Sequence, residues 1–269
     1  MTVEPGTPTA DVVADDHRLA AWLAEQAGHR LLQVRGEGLE GKELKDAGDR
    51  AAHVLLTDLL ATHRPDDAVL SEEALESAAD KDARLTADRV WIIDPLDGTR
   101  EFSEPPRDDW AVHVALWQDG ELVAGAVAQP VLGETFNTGT PPTVAGLGDP
   151  AHRGGRPPRI AVSRSRPPAF VQALADDLGA ELVPMGSAGV KMMSVVRDVA
   201  DAYVHAGGQY EWDSAAPVAV ARAAGLFTSR VDGSELRYNQ TDVYLPDVIV
   251  CRPELSKQIL AFIAEHGTD

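Results

Sequence analysis

The sequence predicts an α/β protein, layered as in the α+β class, whose two halves meet at a cleft. Two helical patterns open the chain, and a group of strand-like apolar runs follows them. After residue 158, short apolar runs alternate with helical patterns. The 269 residues are enough for one large domain or two fused halves around a substantial core.

The first half is predicted to contain two helices and four strands. Residues 1–14, rich in Pro, Thr and Asp, are expected to form a disordered tail. The first helix starts at Asp15 or Asp16 and keeps its apolar spacing to Gly36, and the second starts near Asp49. The strands read AVLSEE, RVWIIDP, AVHVALW and LVAGAVAQPV, and an Asp-Gly turn joins the last two in a hairpin.

A Gly/Pro-rich connection separates the halves. Ten of the twenty residues between Gly139 and Pro158 are Gly or Pro, which is typical of a long connection near a boundary. The predicted organisation is an N-terminal half over 15–145, a connection over 146–158 and a C-terminal half over 159–269.

Acidic residues dominate the charge balance. The 43 Asp and Glu residues outnumber the 24 Lys and Arg residues and give a formal net charge of -19. Such a chain repels nucleic-acid backbones and anionic membrane surfaces, so neither is an expected partner. If the substrate is anionic, a bound divalent cation is the simplest means of reversing the local field.

The single cysteine, Cys251, excludes an intrachain disulfide and fits a reducing compartment. No run approaches the roughly 20 apolar residues of a membrane-spanning helix. The N-terminus has neither a basic start nor an apolar block, so no signal peptide is predicted. We therefore expect a cytoplasmic protein.

The stretch WIIDPLDGT leads a hydrophobic strand into two carboxylates. Its apolar start indicates a buried strand, so Asp94 and Asp97 emerge at the C-terminal end, where open α/β sheets usually bind ligands. Taken alone, Pro-Leu-Asp-Gly is a good turn sequence that needs no function. Carboxylates held close together repel each other, however, and a hard cation such as Mg²⁺ removes that penalty.

Two further acidic positions extend this pattern. Glu72 lies in Ser-Glu-Glu at the end of the strand AVL, although Glu pairs are also common on solvated faces. Asp213, in Glu-Trp-Asp-Ser, heads a helix of the second half, where an aspartate often caps the helix. Capping and metal binding are compatible, because one carboxylate oxygen can serve each purpose.

The patterns SEE, WIIDPLDGT and WDSAA, in this order and at this spacing, resemble the inositol monophosphatase superfamily of Mg²⁺-dependent, lithium-sensitive phosphatases. The resemblance covers most of the chain. It implies an αβαβα sandwich of two halves with the active site between them. It also implies two or three Mg²⁺ ions that clamp a phosphate, and a homodimer is common among such proteins.

The resemblance assigns roles to individual positions. The implied metal ligands are the side chains of Glu72, Asp94, Asp97 and Asp213 and the backbone carbonyl of Leu96. The implied catalytic residues are Asp49, Thr99 and Glu72; the Thr99 hydroxyl and the Asp49 carboxylate would orient the attacking water. The implied substrate-binding residues are Leu96, Asp97, Gly98, Thr99, Ser187, Lys191 and Asp213, with phosphate on the backbone N–H groups of Gly98 and Thr99.

One segment departs from the superfamily pattern. Only three residues separate Lys45 from Asp49, where the superfamily usually has a longer Ser/Thr-Pro-Val-Thr-like segment. The assignment of Asp49 therefore rests on a shorter match. The loop that helps to bind a further Mg²⁺ is expected to be shortened, which also bears on lithium sensitivity.

The segment from Gly186 to Lys191 bears on the substrate. It resembles the GSxxK pattern of the CysQ-type 3′(2′),5′-bisphosphate nucleotidases, in which a lysine suits a substrate with a second phosphate. This implies removal of the 3′-phosphate of 3′-phosphoadenosine 5′-phosphate (PAP), or of its sulfated form PAPS, in sulfur assimilation. Arg164 lies in a segment that resembles the family's Ser-Arg-Ser segment. Its two interpretations are a contribution to binding the second phosphate and an exposed loop arginine. The alternative for Lys191 is a surface lysine without a role in substrate binding.

Other activities compete with this interpretation. Inositol monophosphatase or fructose-1,6-bisphosphatase activity is the alternative within the superfamily, as side activity or as main activity. A haloacid-dehalogenase-type phosphatase needs its two aspartates two positions apart, whereas Asp94 and Asp97 are three apart. A non-catalytic sensor of phosphate ligands is the alternative of another class, and a structural metal protein is weaker. His113, mid-strand, is predicted to be a packed core residue and not a ligand.

Overall fold

The computed structural model describes residues 6–74, 77–165 and 167–268. Its helices are α1 (Ala10–Val13), α2 (Asp16–Arg35), α3 (Gly41–His63), α4 (Ala78–Thr86), α5 (Thr99–Phe102), α6 (Ala169–Leu178), α7 (Ala188–Val196), α8 (Glu211–Ala223) and α9 (Pro253–His266). Its strands are β1 (Ala68–Ser71), β2 (Arg89–Asp97), β3 (Ala111–Gln118), β4 (Glu121–Gln129), β5 (Glu134–Asn137), β6 (Arg159–Ser163), β7 (Glu181–Met185), β8 (Ala202–Ala206), β9 (Phe227–Ser229) and β10 (Asp247–Cys251). A 3-10 turn covers Pro150–Arg153 in the Gly/Pro-rich connection.

The strands form two five-stranded mixed sheets. The first has the order β1-β2-β3-β4-β5, with β1 parallel to β2 and the other neighbours antiparallel. The second has the order β7-β6-β8-β10-β9, with β6 parallel to both of its neighbours and β10 antiparallel to both of its own. The chain completes the first sheet before it enters the second.

Three apolar clusters divide these elements into five layers. Helices α2 and α3 pack on one face of the first sheet. Helices α7 and α8 fill the space between the two sheets, and α6 and α9 cover the remaining face of the second sheet, where Cys251 is buried. The αβαβα sandwich implied by the sequence is confirmed.

Strand β2 is buried on both faces, as its apolar sequence predicts. Val90 and Ile92 belong to the cluster between the sheets, whereas Trp91 and Ile93 belong to the cluster under α2 and α3. Alternate residues of a strand point to opposite faces, so a strand covered by helices on both sides needs an uninterrupted apolar run. Asp94 and Asp97, near the C-terminal end of β2, are polar exceptions to this apolar run.

Helix α3 begins at Gly41, eight residues before the predicted start near Asp49. The Gly48-Asp49 pair resembles a helix start, but Gly48 serves a packing role inside the helix. A Cβ at Gly48 would lie 2.6 Å from Phe102 Cε1 and 3.0 Å from Leu96 Cδ2. Glycine therefore lets α3 approach α5 and the end of β2 closely.

Smaller differences concern short elements. The segment predicted to be a disordered tail contains helix α1 over Ala10–Val13, and residues 1–5 lie outside the described residues. Helix α4 and strands β5 and β9 were not predicted, because the apolar residues of α4 are few and the two strands are short and lack a continuous apolar run. The hairpin between β3 and β4 has its predicted turn, with φ of 52° at Asp119 and 93° at Gly120.

Within the described ranges, none of the helices combines the length and the hydropathy needed to cross a lipid bilayer.

Candidate active site

A β-bulge at the end of β2 brings Asp94 and Asp97 together. Asp94 pairs with His113 and Asp97 pairs with Ala111, so three steps along β2 match two steps along β3. Residues three apart in a regular strand point to opposite faces, and the extra residue of a bulge removes that opposition. Pro95 lies within the bulge, where its missing N–H costs the sheet little.

Asp213 joins these two residues from the first turn of α8. One carboxylate oxygen from each of Asp94, Asp97 and Asp213 lies within 4.8 Å of the other two. Oδ2 of Asp213 also accepts a hydrogen bond from the Tyr210 backbone N–H at 2.8 Å. Asp213 is thus the third residue of α8 and not its N-cap as predicted, but it still caps the helix start through this bond, so capping and metal binding are compatible in this geometry. We call these three residues the acidic cluster.

Glu72 lies at the rim of the acidic cluster. Ser71 pairs with Ile93 in the parallel ladder, so Glu72 comes next to Asp94 just beyond the end of β1. The charge of Glu72 therefore acts on Asp94 and is one of the causes that raise the pKa of Asp94. The Glu72 side chain reaches solvent, whereas Asp94 is only 1% exposed.

The acids cannot all be ionised without a compensating charge. Burial, with the charges of Glu72 and Asp97, raises the pKa of Asp94 well above its ordinary value. Burial and the charge of Asp97 raise the pKa of Asp213 to about 7. Partial loss of hydration, with the charges of neighbouring acids, raises the pKa of Glu72 to about 7 as well. The negative charge of these clustered carboxylates is not balanced by the surrounding protein, and their oxygens fit a hard divalent cation.

Asp97 has a different environment from its neighbours. Its carboxylate accepts hydrogen bonds from the Ser187 hydroxyl at 2.5 Å, from the Gly189 N–H at 2.6 Å and from the Ala188 N–H at 3.1 Å. Burial opposes ionisation, but these donors and the nearby His113 outweigh it and lower the pKa of Asp97 to about 2. Asp97 thus stays ionised and ties β2 to the start of α7.

Asp49 and Thr99 meet beside the acidic cluster. The Thr99 hydroxyl lies 3.4 Å from Asp49 Oδ1 and 3.1 Å from the Leu96 carbonyl oxygen. Burial, with the charge of Glu73, raises the pKa of Asp49 to about 7. Because Asp49 lies within α3, Lys45 precedes it by one helical turn on the same helix. The short spacing noted in the sequence therefore corresponds to one turn of α3.

Gly98 adopts a left-handed conformation, with φ of 89°, immediately before α5. A Cβ there would lie 3.1 Å from the Ser187 Cβ and 3.2 Å from the Trp110 Cβ. Both the conformation and the close approach of α7 therefore favour glycine. Thr99 is the first residue of α5, so its N–H has no acceptor within that helix.

Lys191 is buried at the start of α7, which excludes the surface lysine considered from the sequence. It is 6% exposed, and its Nζ donates to the Ser187 carbonyl at 2.6 Å and lies 3.4 Å from the Gly186 carbonyl. Nζ also lies 5.4 Å from the centre of the Tyr203 ring. Burial lowers the pKa of Lys191. In this arrangement the ammonium is bound by the protein's own backbone.

Arg164 is an exposed residue that forms ion pairs. Its Nη2 donates to Glu101 Oε1 at 2.9 Å and lies 3.3 Å from Glu104 Oε2. The arginine thus links the loop after β6 to α5, and its guanidinium is occupied by carboxylates.

His113 contacts the acidic cluster, which the sequence analysis did not anticipate. The prediction of a buried residue on β3 is confirmed, since His113 is 0% exposed. However, Nε2 lies 3.1 Å from Asp97 Oδ2, and Nδ1 lies 3.9 Å from Asp94 Oδ2. The antiparallel register of β2 and β3 places His113 opposite Asp94, and the sequence alone does not give that register.

Comparison with known proteins identifies the class to which this fold and site belong. A family model described as the inositol monophosphatase family matches residues 11–267. The chain therefore belongs to the inositol monophosphatase family, whose members are metal-dependent hydrolases.

Particular relatives are also similar to this chain. The 3′-phosphoadenosine 5′-phosphate phosphatase of Mycobacterium tuberculosis is 52% identical over 247 residues, which cover 89% of this chain and 90% of the relative. The 3′(2′),5′-bisphosphate nucleotidase CysQ of Escherichia coli is 30% identical over 235 residues, covering 83% and 94%. The crystal structure of CysQ from Bacteroides thetaiotaomicron has a TM-score of 0.70 at 28% identity, covering 87% and 96%.

Proposed function

We propose that this chain is a Mg²⁺-dependent phosphomonoesterase that removes the 3′-phosphate of PAP, and of PAPS, in sulfur assimilation. The acidic cluster beside the Asp49–Thr99 pair is the observation that carries the proposal. The choice of a nucleotide is supported by the relatives named as a PAP phosphatase and as bisphosphate nucleotidases. Side activity on inositol 1-phosphate and fructose 1,6-bisphosphate is expected.

Mg²⁺ would be held by the acidic cluster together with Glu72 and the Leu96 carbonyl. All of these donors are oxygens, which is the donor set that Mg²⁺ prefers. When bound, divalent ions would neutralise phosphate charge, acidify water and stabilise the departing alkoxide. The raised pKa values of Asp94 and Asp213 indicate that the protein alone does not supply the positive charge that this site needs.

Thr99 and Asp49 are proposed to orient the attacking water. The Thr99 hydroxyl has one hydrogen, and both of its neighbours, the Asp49 carboxylate and the Leu96 carbonyl, are acceptors. A lone pair of Thr99 Oγ1 is therefore available to accept a hydrogen bond from water. We assign uptake of the proton to Asp49 and Glu72, whose pKa values are about 7 in the metal-free chain.

The start of α7 is proposed to bind the remainder of the nucleotide. Ser187 and Lys191 lie there, and Lys191 brings a positive charge near Asp97 and Asp213. A substrate with a second phosphate would gain more from this charge than a monophosphate would. We therefore assign Lys191 to discrimination between bisphosphates and monophosphates.

A substrate panel tests the proposal. We would measure kcat/KM for PAP, inositol 1-phosphate and fructose 1,6-bisphosphate, with Mg²⁺ and with EDTA, in the wild type and in Lys191→Ala. The proposal expects Mg²⁺-dependent phosphate release, PAP as the preferred substrate, and a larger loss on PAP than on inositol 1-phosphate in the variant. Nucleotide binding without phosphate release would instead support the sensor alternative, and equal losses would contradict the role of Lys191.

A further inference from the structure

His113 occupies a position where three elements around the acidic cluster converge. It projects from β3, its Nε2 lies 3.1 Å from Asp97 on β2, and its Nδ1 lies 3.1 Å from the Trp212 carbonyl oxygen on α8. Trp212 directly precedes Asp213, the cluster member from the second half of the chain. The imidazole therefore links the backbone next to one candidate metal ligand to the side chain of another.

The two contacts of the imidazole determine which ring nitrogen carries a hydrogen and how the ring is held. A backbone carbonyl can only accept, so Nδ1 carries a hydrogen and donates it to Trp212. Nε2 faces the Asp97 carboxylate in a position without access to water. The 3.1 Å contact of Nε2 with Asp97 Oδ2 is not aligned as a hydrogen bond, so the two groups interact through their charges and close packing. The ring is therefore hydrogen-bonded at Nδ1 and packed against the carboxylate at Nε2, and a tilt of the ring alters both contacts.

Gly189 provides the space for the ring. A Cβ at this position would lie 2.0 Å from His113 Nε2, 2.7 Å from Cε1 and 3.1 Å from Asp97 Oδ2. Gly189 does not have a positive φ, so backbone conformation does not explain a glycine there. Glycine also weakens a helix, and Gly189 is the second residue of α7. Contact with His113 and Asp97 is the physical reason for it.

We propose that His113, seated against Gly189, is a positioning residue that sets the separation of Asp97 and Asp213 and thereby the affinity of the acidic cluster for divalent ions. The inference rests on the proposed function only in requiring that the cluster binds such an ion. Groups that orient metal ligands from behind commonly change metal affinity by about 10- to 100-fold when they are replaced.

Three substitutions separate the two contacts of the ring. The amide nitrogen of Gln lies near the place of Nε2, and that of Asn lies near the place of Nδ1. His113→Gln therefore keeps the Asp97 contact, His113→Asn keeps the Trp212 contact, and His113→Leu keeps neither. Mg²⁺ affinity is measured by calorimetric titration of the full chain without substrate, and thermal unfolding in EDTA verifies that each variant is folded.

We expect His113→Asn and His113→Leu to weaken Mg²⁺ binding by about 10- to 100-fold, and His113→Gln to stay closer to the wild type. His17→Asn is the matched control, because the ring of His17 contacts Thr138 at 2.7 Å and does not contact the acidic cluster. If His113→Leu does not fold, the Gln and Asn variants still decide the question. Folded Asn and Gln variants that both bind Mg²⁺ as the wild type does would overturn the proposal.

Gly189→Ala gives an independent test. Its methyl group should displace the ring and weaken Mg²⁺ binding as His113→Asn does, and the double variant should be no weaker than either single variant. Additive losses would show that the two residues act separately and would overturn the coupling. A wild type that binds no divalent ion at all would instead contradict the proposed function.

Discussion

The Thr99 hydroxyl lies 3.4 Å from the Asp49 carboxylate, although fifty positions separate the two residues in the chain. The contact depends on the close approach of α3 to α5, which Gly48 permits. It brings a hydroxyl and an acid with a pKa of about 7 to the edge of the acidic cluster. The acid proposed as general base and the hydroxyl proposed to orient water thus lie side by side.

Replacement of the acid in this pair should impair the chemical step. Asp49→Asn removes the proton acceptor but keeps the shape of the side chain, so kcat should fall by about 10²- to 10⁴-fold with a smaller change in KM. Asp58→Asn is the control, since Asp58 is exposed on the same helix and more than two turns away from Asp49. Steady-state kinetics on PAP with saturating Mg²⁺ provide the measurement. An unchanged kcat in Asp49→Asn would remove Asp49 from the mechanism.

Removal of one acid from the cluster should stabilise the metal-free protein while abolishing metal binding. Asp94 is buried within reach of the charges of three other acids, Glu72, Asp97 and Asp213, so Asp94→Asn relieves repulsion and should raise the free energy of unfolding in EDTA by about 0.5–2 kcal/mol. Mg²⁺ should no longer raise the Tm of this variant. Asp177→Asn, at an exposed position on α6, should leave both quantities as in the wild type. A loss of stability in EDTA would contradict the account of repulsion.

The stability of the metal-free protein and the stabilisation by Mg²⁺ should change in opposite directions as the pH rises. The pKa values of Glu72, Asp49 and Asp213 are raised to about 7 in the folded chain, above the ordinary value near 4. Raised pKa values contribute stability at low pH that is lost as the pH rises through 7. The Tm in EDTA should therefore fall between pH 5 and 8, whereas the increase in Tm caused by Mg²⁺ should grow, because protons no longer compete.

The comparison of wild type with Asp213→Asn isolates the contribution of the site to this pH effect. The variant lacks one of the titrating groups, so its Tm in EDTA should fall less over the same range. Parallel curves for the two proteins would show that groups elsewhere in the chain cause the dependence.

Gly48→Ala should destabilise the fold although alanine favours helices. The gain in helix propensity is about 1 kcal/mol, but the new Cβ would lie 2.6 Å from Phe102 Cε1. Overpacking of this kind typically costs about 1–3 kcal/mol, so the net free energy of unfolding should decrease. Urea unfolding measures the change, and Phe102→Leu combined with Gly48→Ala should recover part of it. A more stable Gly48→Ala variant would contradict the close packing of α3 on α5.

Much of the fold was predictable because its signals are local. The apolar run of β2 predicted a strand covered on both faces, and the Asp-Gly pair predicted the hairpin between β3 and β4. The start of α3 was misplaced because Gly48-Asp49 has the composition of a helix start. The physical cause of that glycine is contact with Phe102, which lies far away in sequence.

The site was only partly predictable, because side-chain direction depends on long-range pairing. Spacing alone would place Asp94 and Asp97 on opposite faces, and the bulge that unites them depends on the register with β3. The role of His113 follows from the same register. The sequence also predicted that Lys191 binds a second phosphate. It could not reveal that Nζ of this lysine donates a hydrogen bond to the Ser187 carbonyl.

Diffraction from crystals soaked in Mn²⁺, with the anomalous signal used to locate the metal, tests the central claim most directly. Mn²⁺ accepts the same oxygen ligands as Mg²⁺. We predict an anomalous peak within coordination distance of carboxylate oxygens from Asp94, Asp97 and Asp213, with Glu72 at its edge. Fully soaked crystals with no peak between these residues, from protein that still releases phosphate, would contradict the account.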